Sequence, residues 1–64
     1  MLAIAINFEG GHSSSIATDE STPQAVHDAF CKQFGYSDGY IDQILLVKND
    51  NVIGHWQAAK DFNK

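Results

Sequence analysis

ILLVKNDNVIGHW, residues 44–56, is the stretch whose reading decides the fold. Two apolar runs flank Lys48, Asn49, Asp50 and Asn51, and asparagine and aspartate tolerate the left-handed conformations of a tight turn. The stretch therefore reads as a β-hairpin, with residues 41–48 as one strand and residues 52–56 as the next. Its apolar residues do not alternate with polar ones. Ile44 and Leu46 point to one side of their strand and Leu45 and Val47 to the other, while Val52 and Trp56 oppose Ile53. Both faces of the hairpin are apolar, and each needs a cover.

Upstream, LAIAINF (2–8) alternates, with Leu2, Ile4, Ile6 and Phe8 on one side and Ala3, Ala5 and Asn7 on the other, the pattern of a half-buried strand. Glu9, Gly10 and Gly11 supply glycine where a hairpin needs positive φ. HSSSIAT (12–18) is a weaker strand whose one large apolar residue is Ile16, and it is expected at a sheet edge. Residues 19–35 carry helix signals at both ends. Thr22 as N-cap places Pro23 at the first helical position, where its missing N–H costs nothing; Ser21 as N-cap would instead pair with Gln24 in a capping box. Asp19 and Glu20 add negative charge near the positive end of the helix dipole. Val26, Ala29, Phe30 and Phe34 recur at helical spacing as a buried stripe, and Gly35 is placed to end the helix in the left-handed conformation. Residues 36–40 read as a loop. The tail QAAKDFNK (57–64) has room for a short terminal helix that docks Phe62.

This order predicts a single small α+β domain over residues 1–64: a two-layer, four-stranded, mainly antiparallel sheet in β-β-α-β-β order with one principal helix on one face. A helix of about thirteen residues is roughly 20 Å long and covers one face only. With Ile44, Leu46 and Ile53 toward the helix, Leu45, Val47, Val52 and Trp56 fall on the other face, joined by Ala3 and Ala5. Leaving large apolar side chains wet forgoes roughly 1.5–3 kcal/mol for each one that could be fully buried, which together rivals the stability of a small domain. Three covers fit: the C-terminal segment with Phe62, a second copy of the chain, or a different protein.

Composition narrows the function. The chain has 64 residues, a formal net charge of −4, 44% hydrophobic and 19% charged residues, an ordinary globular balance. Its positive charges are Lys32, Lys48, Lys60 and Lys64, and arginine is absent. Without a dense basic patch or a guanidinium fork, direct nucleic-acid binding is disfavoured; an acidic surface suits a protein partner with a basic one. Cys31, the single cysteine, rules out an internal disulfide and fits a reducing, cytoplasmic setting. No apolar run is long enough to span a membrane, and no leader precedes the strand pattern at Leu2, so a complete small gene product is expected.

Residues with chemical potential are few. His27 and Cys31 stand four apart, a spacing that can chelate a metal, with His12 and His55 as further ligands. A single local pair is less than a zinc cluster normally shows. The expectation is a solvent-facing His27, a small, partly buried Cys31, and no metal or cofactor. A Cys31–His nucleophile pair has no motif around it. Asp19 and Glu20 are explained by the helix start rather than by acid–base work, and residues 9–11 lack the phosphate-loop pattern. A chain this short has little room for a pocket of several hundred Å3 beside a core, so no catalytic residues are expected.

The expected function is a small, acidic, non-enzymatic protein-binding module. Its contact surface would comprise Leu45, Val47, Val52 and Trp56, with Tyr36, Asp38 and Tyr40 as a rim; tryptophan and tyrosine are enriched at energetic centres of interfaces. In size, acidity and layout the chain resembles small phage or mobile-element proteins that block a host enzyme, without a shared motif. That resemblance implies an inhibitor of a nucleic-acid-handling protein. The alternatives are a homodimeric structural protein and a small metal or redox protein using His27 and Cys31.

Overall fold

The computed structural model describes residues 1–61. Its elements run β1 (Leu2–Asn7), β2 (His12–Ala17), α1 (Pro23–Phe34), β3 (Gln43–Lys48), β4 (Asn51–Gln57) and a short α2 (Ala58–Asp61). The sheet is four-stranded in the order β2-β1-β3-β4, and every neighbouring pair is antiparallel. The α+β, β-β-α-β-β architecture read from the sequence is the one observed. A covering role for Phe62 lies outside the described residues.

Local chemistry explains the connections. Asn49 and Asp50 have φ of 51° and 64° between the closing pair Lys48 and Asn51, the two-residue hairpin turn with both central residues left-handed. Gly11, at φ 65°, closes the β1–β2 hairpin, where its N–H donates to the Phe8 carbonyl oxygen at 3.3 Å. Helix α1 begins at N-cap Thr22 with Pro23 behind it and ends at Gly35, φ 71°, whose N–H donates to the Cys31 carbonyl oxygen at 2.9 Å. Thr22 rather than Ser21 is the N-cap, and the Gln24 amide donates to Asp28 Oδ1 at 2.9 Å.

Side chains directly opposite one another on paired strands share a face, so the register assigns the two sides of the sheet. Toward α1 point Ile16, Ala3, Leu46 and Gly54 in one row and Ser14, Ala5, Ile44 and Trp56 in the next. Val26 and Phe30 of α1 and Ile41 complete the buried core with Ala3, Ala5, Ile16, Ile44 and Leu46. This corrects the sequence reading, which placed Ala3, Ala5 and Trp56 on the outer face. Ala3 and Ala5 are 0% and 3% exposed and belong to one buried cluster with Phe30 and Val26 of α1. Ile53, expected under the helix, is 53% exposed.

Trp56 changes sides because of a β-bulge. Leu46 pairs with Gly54 but Val47 pairs with Val52, so Ile53 is an extra residue and the alternation of β4 inverts beyond it. Gly54 makes this workable. A Cβ there would lie 2.9 Å from Trp56 Cζ2, so the indole lies across the glycine and packs against the core from its rim.

Candidate interaction face

On the side of the sheet away from α1, three rows cross all the strands: Ala17–Leu2–Val47–Val52, Ser15–Ile4–Leu45–His55, and Ser13–Ile6–Gln43–Gln57. Leu2, Ile4, Ile6, Leu45, Val47 and Val52 make this face apolar, and none of them belongs to the core or packs against it. Leu2 is 43% and Val52 60% exposed; Ile4, Ile6, Leu45 and Val47 are of intermediate exposure. Within these rows His55 Nε2 lies 3.1 Å from Gln43 Oε1. The three rows contain no aspartate, glutamate or lysine.

The residues expected to act together divide between the two sides. Leu45, Val47 and Val52 lie on the open face as read from the sequence. Trp56 is on the helix side, as are Tyr36 and Tyr40, which also pack against the core. Those two tyrosines belong to a stack running outward from the core: Phe30, Phe34, Tyr36 and Tyr40, with successive ring centroids 6.1, 5.3 and 4.5 Å apart. The Tyr36 hydroxyl donates to Ser14 Oγ at 3.0 Å, pinning the loop to β2. Asp38 is exposed in the turn that follows, where Tyr40 N–H donates to the Ser37 carbonyl oxygen at 3.1 Å and Gly39 has φ 85°. The alternating pattern of β1 held the signal for Leu2, Ile4 and Ile6 as surface residues, but apolar alternation alone does not say which side the helix takes.

One end of the sheet is acidic and tightly tied. Asp42 accepts the Phe8 N–H through Oδ2 at 2.7 Å, its own N–H donates to the Ile6 carbonyl oxygen at 2.9 Å, and its carbonyl accepts the Ala58 N–H at 3.0 Å. The Asn7 amide bridges the two loops there, donating to the Tyr40 carbonyl oxygen and accepting from the Gly10 N–H. Glu9, Asp38 and Tyr40 line an open groove of about 330 Å3 at this end.

The helical pair His27 and Cys31 lies side by side on α1. His27 is 2% exposed, so the expectation that it faces solvent is corrected: it sits beside Val26 at the edge of the buried stripe, with Nδ1 3.4 Å from Asp28 Oδ1. Cys31 Sγ is 3.8 Å from Nε2 and 4.0 Å from Nδ1, near-equal distances that align the thiol with neither nitrogen. Burial, helped by the Asp28 and Asp38 carboxylates, pushes the thiol pKa up, away from the thiolate a nucleophile needs. Among the described residues no group of three or more His, Cys, Asp or Glu could hold a metal.

The fold and its open face define a class, a two-layer α+β protein with one sheet surface unclaimed by its own helix. In comparisons with known proteins, no family model matches the chain, no curated protein matches it, and no solved structure matches it. No helix among the described residues is long and apolar enough to cross a membrane.

Proposed function

We propose that the protein is a non-enzymatic binding module that holds another protein against the open face of its sheet. The observation that carries this reading is the cluster of Leu2, Ile4, Ile6, Leu45, Val47 and Val52, large apolar side chains on the face opposite α1 and outside the core. Covering them would contribute a fraction of the roughly 1.5–3 kcal/mol available to each such residue on full burial, enough in sum to support specific association. The finer form of the proposal is an inhibitor of a nucleic-acid-handling protein, acting in the cytoplasm. What supports it is the net charge of −4 without arginine, and the placement of Glu9, Asp38 and Asp42 at one end of the sheet, where they would meet basic residues of a partner.

Affinity capture from cell extract tests the reading, using the wild-type chain beside a Leu45→Ser, Val47→Ser variant and a Trp56→Ala variant. The open-face variant loses the specific partner, and the Trp56 variant, altered on the other side, keeps it. Retention of the same proteins by a folded open-face variant would refute the assignment of this face.

A further inference from the structure

We infer that, when no tighter partner is present, the open face is occupied by a second copy of this chain, packed sheet to sheet about a two-fold axis near Ile4 and Leu45. The inference rests on the reading of the open face as a contact surface and names its first occupant.

Charge is the leading reason. The chain carries a net −4, so most of its surface repels a second copy, but the three rows of the open face hold no charged residue. Two acidic copies can meet there without setting carboxylates against each other, whereas a basic partner would find its counter-charges only beyond the rows, at the acidic end with Glu9, Asp38 and Asp42. Area is the second reason. Strands about 4.8 Å apart and residues rising about 3.3 Å give this four-stranded sheet a face of roughly 20 by 20 Å. Covering it on two copies removes on the order of 1,000 Å2 of accessible surface, the size class of weak association, for which a micromolar constant is the working expectation. Geometry is the third. Ile4 and Leu45 face each other on the two central strands, so a two-fold axis there superposes apolar side chains on apolar ones. The self-complementary patch that results is what closed two-fold symmetry requires. The product is a four-layer helix–sheet–sheet–helix assembly with its sheets about 10 Å apart.

Sedimentation velocity over about 1 to 300 μM, the range a micromolar constant demands, reads the outcome. The weight-average mass should rise from 7.0 kDa toward twice that value. Leu45→Lys at the centre of the face and Val52→Lys on the edge strand should each shift the midpoint at least tenfold higher. Gln33→Lys, on the exposed side of α1, should leave it unchanged. Val52 is 60% exposed, so its lysine variant folds even if the Leu45 variant does not, and far-ultraviolet circular dichroism checks both. A wild-type chain that stays monomeric throughout, or a dimer that both lysine variants keep, overturns the inference. Either result leaves the binding-module reading to be decided by partner capture, which does not depend on self-association.

Discussion

Asn7 offers the sharpest test of how this fold is held at its acidic end. Asn7 is 9% exposed and its side chain uses both ends of the amide, the nitrogen on the Tyr40 carbonyl oxygen and the oxygen on the Gly10 N–H. Asn7→Ala removes both bonds. At about 0.5–1.5 kcal/mol net for each hydrogen bond, the expected loss is about 2 kcal/mol. A 64-residue chain has roughly 3–10 kcal/mol in total at the usual 0.05–0.15 kcal/mol per residue. In urea, with a slope near 1 kcal/mol/M for a protein this small, the midpoint should fall by about 2 M at constant slope, and Tm by about 8–16 °C. Trp56 fluorescence reports the transition. Gly10 then identifies the cause. A Cβ at position 10 would lie 2.9 Å from Asn7 Oδ1 and 2.8 Å from His12 Cδ2, so Gly10→Ala drives the amide out of place without any left-handed backbone strain. In the Asn7→Ala background that collision with the amide is gone, and the two losses should be non-additive by about 1 kcal/mol, within the range for residues in contact. A loss below about 0.5 kcal/mol for Asn7→Ala, or strict additivity with Gly10→Ala, would refute the bridging role.

Other substitutions probe the assignment of faces and the helical thiol. Ala5→Leu should cost about 1–3 kcal/mol by overpacking beneath α1, measured by urea unfolding; a neutral result would return Ala5 to the outer face. Gly54→Ala should displace the indole that lies across it, shifting Trp56 emission to longer wavelength while the far-ultraviolet spectrum stays unchanged. Cys31 should react with iodoacetamide near neutral pH more slowly than a small thiol, because burial and the Asp28 and Asp38 carboxylates suppress its ionisation. The sign for stability follows. The folded pKa lies above the ordinary 9.0, so the unfolded chain ionises first, and stability is full below that range and declines as pH rises through it. Cys31→Ser should lessen that alkaline decline in an unfolding series.

What could be read in the sequence was what local chemistry determines. Pro23 and Gly35 bracket α1 because a missing N–H and a left-handed φ are properties of single residues, and Asn49 with Asp50 sets the β3–β4 turn for the same reason. The faces of the sheet were harder, since strand parity depends on every residue between two points. One bulge at Ile53, opposite Leu46 and Val47, inverted β4 and carried Trp56 to the helix side. Gly54 was the available signal, because an isolated glycine within a strand often marks a bulge or a close approach. His27 was misplaced for a different reason. Residue type suggested a polar surface, but its position three residues before Phe30 and four before Cys31 on α1 places it at the edge of the buried stripe.

The parity of β1 connects fold to function. A monomer selected for stability alone would turn Leu2, Ile4 and Ile6 under the helix, where each could reach the roughly 1.5–3 kcal/mol of full burial. Here Ala3 and Ala5 take that place, and the larger residues stand on the open side, next to Leu45 and Val47 of β3. A one-residue slip in register would exchange the two sets. Packing resists the exchange: with Phe30 and Val26 fully buried above the alanines, isoleucines at those positions would force the helix away from the sheet. The same large-over-small packing that builds the core above Ala3 and Ala5 therefore leaves the branched residues of β1 outward. Apolar surface on the far side of the sheet is thus a consequence of how the core is built, and it is the surface that the proposed partner would cover.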